Sequence, residues 1–79
     1  MKRTVELYGR LKDAGRDSIK VELAPGTTAA EALRAVGEAL GDRRLVEGAA
    51  LATETELLSR AAAVPSKGRL AVLPPVCGG

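Results

Sequence analysis

The stretch from Thr28 to Gly41 does most to narrow what this chain folds into. Thr28 precedes Glu31 at the spacing of a capping box, in which hydroxyl and carboxylate satisfy each other's backbone amides. Ala29, Ala32, Leu33, Val36 and Leu40 then share one helical face, while Glu31, Arg34 and Glu38 fall elsewhere. Gly41 stands where a left-handed terminator belongs. The spacing predicts a helix over 29–40. Gly37 inside it costs about 1 kcal/mol relative to Ala, which points to close packing, with the sheet as the expected neighbour. A helix with one apolar face must bury that face against another layer, and the flanking sequence supplies strands.

Thr4-Val5-Glu6-Leu7-Tyr8 alternates, with Val5 and Leu7 on one side and Thr4, Glu6 and Tyr8 on the other. Gly9 interrupts it. Arg10 to Ala14 reads as a single helical turn stopped by Gly15. Ser18 to Leu23 is a second alternating strand, and Pro25-Gly26 marks a turn. Between 42 and 67 the pattern weakens: a third strand is expected within 48–53, a further short one at 56–58, and a turn at Pro65-Ser66-Lys67-Gly68. Arg69 to Leu73 is an apolar run of β character, read as a buried strand. The ββαββ order predicts an α+β fold, a small mixed sheet with one main helix packed across one face. The β-grasp arrangement fits that order, with the final strand beside the first in the sheet centre. Residues 1–73 form the expected domain and 74–79 an extended C-terminal tail.

Composition excludes several functions. A chain of 79 residues buries only about 60–65% of its unfolded surface, leaving little room for a deep catalytic cleft. With no Phe or Trp and one Tyr, the core must be built from interdigitated aliphatic side chains. Twelve basic and ten acidic residues, spread along the chain, leave a net charge of +2. That is neither the concentrated basic face nor the interleaved aromatics of a nucleic-acid binder. Histidine is absent and Cys77 is the single cysteine. This removes an internal disulfide, zinc-type spacing and the commonest general base; no metal site is expected. No apolar run has the length of a membrane span, and the N-terminal residues lack the apolar stretch of a signal peptide. A cytoplasmic location without membrane contact is the expectation.

The chemistry is expected at Val72-Leu73-Pro74-Pro75-Val76-Cys77-Gly78-Gly79. Pro74 and Pro75 lack amide hydrogens and fix φ, so they end sheet pairing and favour extended backbone. Gly78 and Gly79 have no side chains, so a thin strand can thread a narrow channel and present an unhindered carboxylate. A carboxylate is a poor electrophile until activated, and adenylation by ATP on a partner enzyme makes it one. Attack by a sulfur donor then leaves a thiocarboxylate at Gly79, a competent nucleophile, and the covalent intermediate divides one difficult transfer into easier steps. A carrier of this kind needs no catalytic constellation of its own. A frayed end is the plain alternative, but at about 7% Gly a chance Gly-Gly terminus arises in only about 0.5% of chains.

Leu73-Pro74-Pro75-Val76-Cys77-Gly78-Gly79 resembles the Pro-Pro-Val-x-Gly-Gly ending of the molybdopterin synthase small subunit, the MoaD family of ubiquitin-like sulfur carriers. Tyr8-Gly9-Arg10-Leu11-Lys12-Asp13 and Pro25 to Leu33 are similar to that family's stretches after the first strand and at the start of the main helix. Thr53-Glu54, Lys67-Gly68-Arg69 and the aliphatic Val72-Leu73 depart from its pattern. The resemblance implies that Gly79 is adenylated by an E1-like (MoeB-like) enzyme using ATP, no cofactor being bound by the chain itself. A cysteine desulfurase or rhodanese system would supply the sulfur. Leu73, Pro74, Pro75, Val76, Cys77 and Gly78 would then enter the large, MoaE-like subunit of molybdopterin synthase. That subunit holds the active site, and the sulfur passes there to cyclic pyranopterin monophosphate. Tyr8, Arg10 and Lys12 would lie on the docking surface. A thiamin-type or tRNA-thiolation carrier, a modifier joined to lysine through Gly79, and a plain interaction domain with an inert tail share the same framework. Cys77 is expected to be incidental, since an exposed thiol with a pKa near 8.5 is mostly protonated at neutral pH. Cys77→Ser should therefore retain sulfur transfer in a reconstituted assay, and near-complete loss would refute this.

Overall fold

The computed structural model describes residues 1–9 and 17–74. Strand β1 (Lys2–Leu7) pairs antiparallel with β2 (Ser18–Glu22), with Val5 opposite Ile19 and Arg3 opposite Val21. Helix α1 (Ala29–Leu40) follows, then a short 3-10 helix (Arg43–Val46), β3 (Ala50–Ala52) and β4 (Leu70–Leu73). The four-stranded sheet has the order β2-β1-β4-β3. Its central pair, β1 and β4, is parallel, whereas β3 and β4 run antiparallel. This is the predicted mixed sheet with first and last strands side by side.

The capping box forms as its spacing requires. The Glu31 carboxylate accepts the Thr28 amide at 3.0 Å and the Thr28 hydroxyl at 3.1 Å, while the Glu31 amide donates back to Thr28 Oγ1 at 3.3 Å. The amides of Ala29 and Ala30, orphans at any helix start, donate to the carbonyls of Ala62 and Arg60 at 2.9 and 3.0 Å. The long β3–β4 connection thus closes over the helix N-terminus. At the other end Gly41 donates to the Glu38 carbonyl at 3.1 Å.

These bonds give Glu31 a pH signature. The Thr28 amide first, and then its hydroxyl, hold the Glu31 carboxyl below its ordinary value of 4.5. A depressed folded-state pKa contributes stability fully present above the unfolded value and lost as pH falls through the folded one. Glu31→Gln, which cannot titrate, is therefore expected to lower the urea midpoint at neutral pH, with a deficit that shrinks once pH falls below 4.5. Urea titrations of both proteins across that range measure it.

The core is aliphatic throughout. Val5, Leu7, Ile19, Val21 and Leu23 from the hairpin meet Ala29, Ala32, Leu33 and Val36 from the helix, with Leu51, Leu70 and Val72 completing it. No polar or charged residue is buried among the described residues. Three expectations need correction. Residues 56–58 form no strand; Leu57 makes only an isolated bridge to Ala52 and is 62% exposed, so no apolar burial extends it. The final strand is buried on one face only: Leu70 and Val72 point to the helix, whereas Ala71 and Leu73 are half-exposed on the open face. Gly37 faces the 3-10 helix rather than the sheet. A Cβ there would lie 2.9 Å from Val46 Cγ2 and 3.0 Å from the Arg43 α-carbon, and that approach explains a residue of poor helix propensity. The helical turn expected at 10–14 lies outside the described residues.

Candidate functional site

The site is built where β1 and β4 end together. Leu7 sits beside Val72 in the parallel ladder, and the Tyr8 amide extends the pairing by donating to the Val72 carbonyl at 3.3 Å. On the far side of β4, Leu73 is opposite Ala50. Strand β4 is thus held from both sides as far as Val72, and its last residue, Leu73, from the β3 side. Pro74 then removes the next donor and ends the ladder.

Gly9 receives Pro74. Its φ of +62° is left-handed, and a Cβ built on it would lie 2.6 Å from Pro74 Cγ and 3.3 Å from Pro74 Cδ. A side chain at position 9 and a ring at position 74 cannot coexist in this arrangement. The proline ring is seated directly on the glycine backbone, a contact between the segments that follow β1 and β4. The sequence marks Gly9 only as an interruption; Gly immediately after an alternating strand and Pro immediately after another are the signals that could have paired them.

Tyr8 lies on the open face, 40% exposed, and its hydroxyl donates to Glu6 Oε1 at 2.6 Å. That bond, and the nearby carboxylate charge, push the Tyr8 phenol above its ordinary pKa. Arg69 Nε stands 3.9 Å from Glu6 Oε2, and the Arg69 amide donates to Glu54 Oε1 at 3.5 Å. Together with Ala71 and Leu73 these residues line a shallow cleft of about 400 Å³ beside the root of the tail. It offers apolar contact with a polar rim, as a docking surface does. The structure brings Tyr8, Leu73 and Pro74 to one end of the sheet. Arg10, Lys12, Pro75, Val76, Cys77, Gly78 and Gly79 lie outside the described residues. Among the described residues no group of three or more Asp or Glu side chains could hold a metal ion, and no helix is long and apolar enough to cross a membrane.

No protein-family model matches the chain and no curated protein matches it in sequence. Solved structures match it closely in shape. Two crystal structures of small archaeal modifier protein 1 from Haloferax volcanii superpose with TM-scores of 0.75 and 0.76, at 22% and 20% identity. The first alignment covers 100% of both chains, the second 95% of this chain and 98% of the other. A Pyrococcus furiosus protein provisionally designated molybdopterin converting factor, subunit 1, superposes with a TM-score of 0.75 at 17% identity, over 96% of this chain and 99% of its own. The fold is the ubiquitin-like β-grasp. At these identities the likeness speaks to the fold, and the β-grasp domain's chemistry must be argued from its own residues.

Proposed function

We propose that this β-grasp domain is an acyl carrier of the ubiquitin-like kind, whose residues 74–79 form an extended tail and whose Gly79 carboxylate is activated and converted to a thiocarboxylate by partner enzymes. The observation that carries the proposal is the seating of Pro74 on Gly9 at the end of a strand paired on both sides. A proline seated on the end of the first strand and followed by Pro-Val-Cys-Gly-Gly supports reading residues 74–79 as a segment presented to another protein.

The steps balance simply. The Gly79 carboxylate attacks the α-phosphorus of ATP on an E1-like enzyme, forming the acyl-adenylate and releasing pyrophosphate. A persulfide or sulfide sulfur attacks the acyl carbon and AMP leaves; where a persulfide is the donor, a thiol reductant cleaves the S–S bond to free the thiocarboxylate. The tail then enters a large, MoaE-like subunit, and the sulfur passes to a pterin precursor of molybdopterin. Tyr8, with Arg10 and Lys12, serves the docking surface. The similarity to a protein designated a molybdopterin converting factor subunit supports this acceptor. The similarity to a small archaeal modifier supports a second fate, in which a lysine amine replaces sulfur as the nucleophile toward the same acyl-adenylate.

Intact-mass measurement after incubation with an E1-like enzyme, ATP and a sulfur source is expected to show replacement of one oxygen by sulfur, located on Gly79 by fragmentation. A chain that never forms an adenylate or thiocarboxylate would end the proposal. Higher-mass conjugates formed through Gly79, without transfer to the pterin acceptor, would select the modifier reading.

A further inference from the structure

We propose that a groove beside α1, rimmed by arginines, docks an acidic polypeptide segment of the partner that handles the tail. The groove holds about 550 Å³ and is rimmed by Arg34 of the helix, Arg43 and Arg44 of the 3-10 helix, and Arg60 of the β3–β4 connection. Its floor is apolar, formed by Leu33 and Val46. Among the described residues Arg34, Arg43 and Arg60 take part in no ion pair; Arg44 stands 3.5 Å from Asp42. Four positive charges against Glu47 and Asp42 leave +2 here, equal to the net charge of the whole chain. Among the other described residues five basic side chains stand against seven acidic ones, so within the described residues positive charge gathers along this side of α1. Acidic Glu31 lines a different cleft, with Glu22.

The occupant follows from what lines the groove. Planar guanidinium groups pair well with carboxylates, two hydrogen bonds at a time, and an apolar floor accepts aliphatic side chains between those carboxylates. Nucleic acid would want stacking surfaces, but Tyr8, the one aromatic residue, lies on the open face. The partner's identity rests on the carrier reading; the acidic peptide chemistry does not.

The test is an NMR titration of the ¹⁵N-labelled full chain with a short peptide alternating Glu pairs with Leu. Shifts should centre on Leu33, Arg34, Arg43, Val46 and Arg60, and fade with added salt. Replacing Arg34, Arg43 and Arg60 together by Ala should weaken binding about tenfold, and replacing them by Lys much less. A charge-reversed Arg34→Glu, Arg60→Glu protein should instead take the matching Lys–Leu peptide. Shifts centred on Tyr8 and Leu73, equal binding of an oligonucleotide of the same charge, or full competition by inorganic phosphate would each overturn the proposal. No ATP or activating enzyme enters this titration, so its failure is distinct from a failure to form the thiocarboxylate.

Discussion

Gly9→Ala is expected to lower stability by about 1–4.5 kcal/mol, partly through Pro74. Two costs add: a left-handed backbone carrying a Cβ loses roughly 1–2 kcal/mol, and overpacking against the proline ring adds about 1–3 kcal/mol. The stiffer unfolded chain returns about 0.4–1 kcal/mol. The overpacking part belongs to a pair, so it can be isolated. Pro74→Ala on its own leaves the Gly9 backbone where it is, and combining it with Gly9→Ala removes the atoms 2.6 and 3.3 Å from the new Cβ. Urea unfolding of the four proteins in a double-mutant cycle should show a coupling of about 1 kcal/mol or more. Additive effects would mean that the glycine serves only its own φ. Under the carrier proposal the single variant should also slow formation of the thiocarboxylate at Gly79 more than its loss of stability explains.

Leu70→Ala has the larger effect on folding. Leu70 is 1% exposed, lies beside Val5 in the central pair and belongs to the aliphatic core. Truncating a buried Leu costs about 2–5 kcal/mol, depending on how far the site collapses. At roughly 0.05–0.15 kcal/mol per residue a domain of this length has about 4–12 kcal/mol in all. The substitution therefore leaves much of the population unfolded at the lower end of that range, and thermal and urea melts monitored by circular dichroism report it. Leu57→Ala is the control: at 62% exposure it should fall within about 0.5 kcal/mol of the parent protein. The two leucines separate because one enters the core and the other does not.

Helix α1 was legible in the sequence because three independent signals coincide there, the Thr28–Glu31 cap, the apolar stripe and Gly41, and its bounds agree with the spacing. Strands β1 and β2 were legible because polar and apolar residues alternate cleanly. In β4 the alternation is hidden, since Ala71 and Leu73 are apolar although they face outward. The 3-10 helix at Arg43–Val46 is a single turn, too short for a periodicity to register; its only herald is Asp42, whose carboxylate accepts the Arg44 amide at 3.0 Å. Glu56-Leu57-Leu58 reads as a strand by residue type but buries no side chain deeply enough to earn one. Of the site, the composition of the tail could be read directly. The seat at Gly9 shows only when two such readings are combined, the final strand beside the first and a glycine and a proline directly after them, because the two residues lie far apart in the sequence.

That pairing also orders events in time. A chain is made from its N-terminus and domains fold as units, yet here β1 waits for β4, the last strand made, before its second edge is covered. Until residue 73 has left the ribosome the hairpin has no central neighbour, and nothing holds Pro74 against Gly9. The centre of the sheet is therefore closed by the strand made last of the four, so the seat for Pro74 exists only once both members of the parallel pair are present.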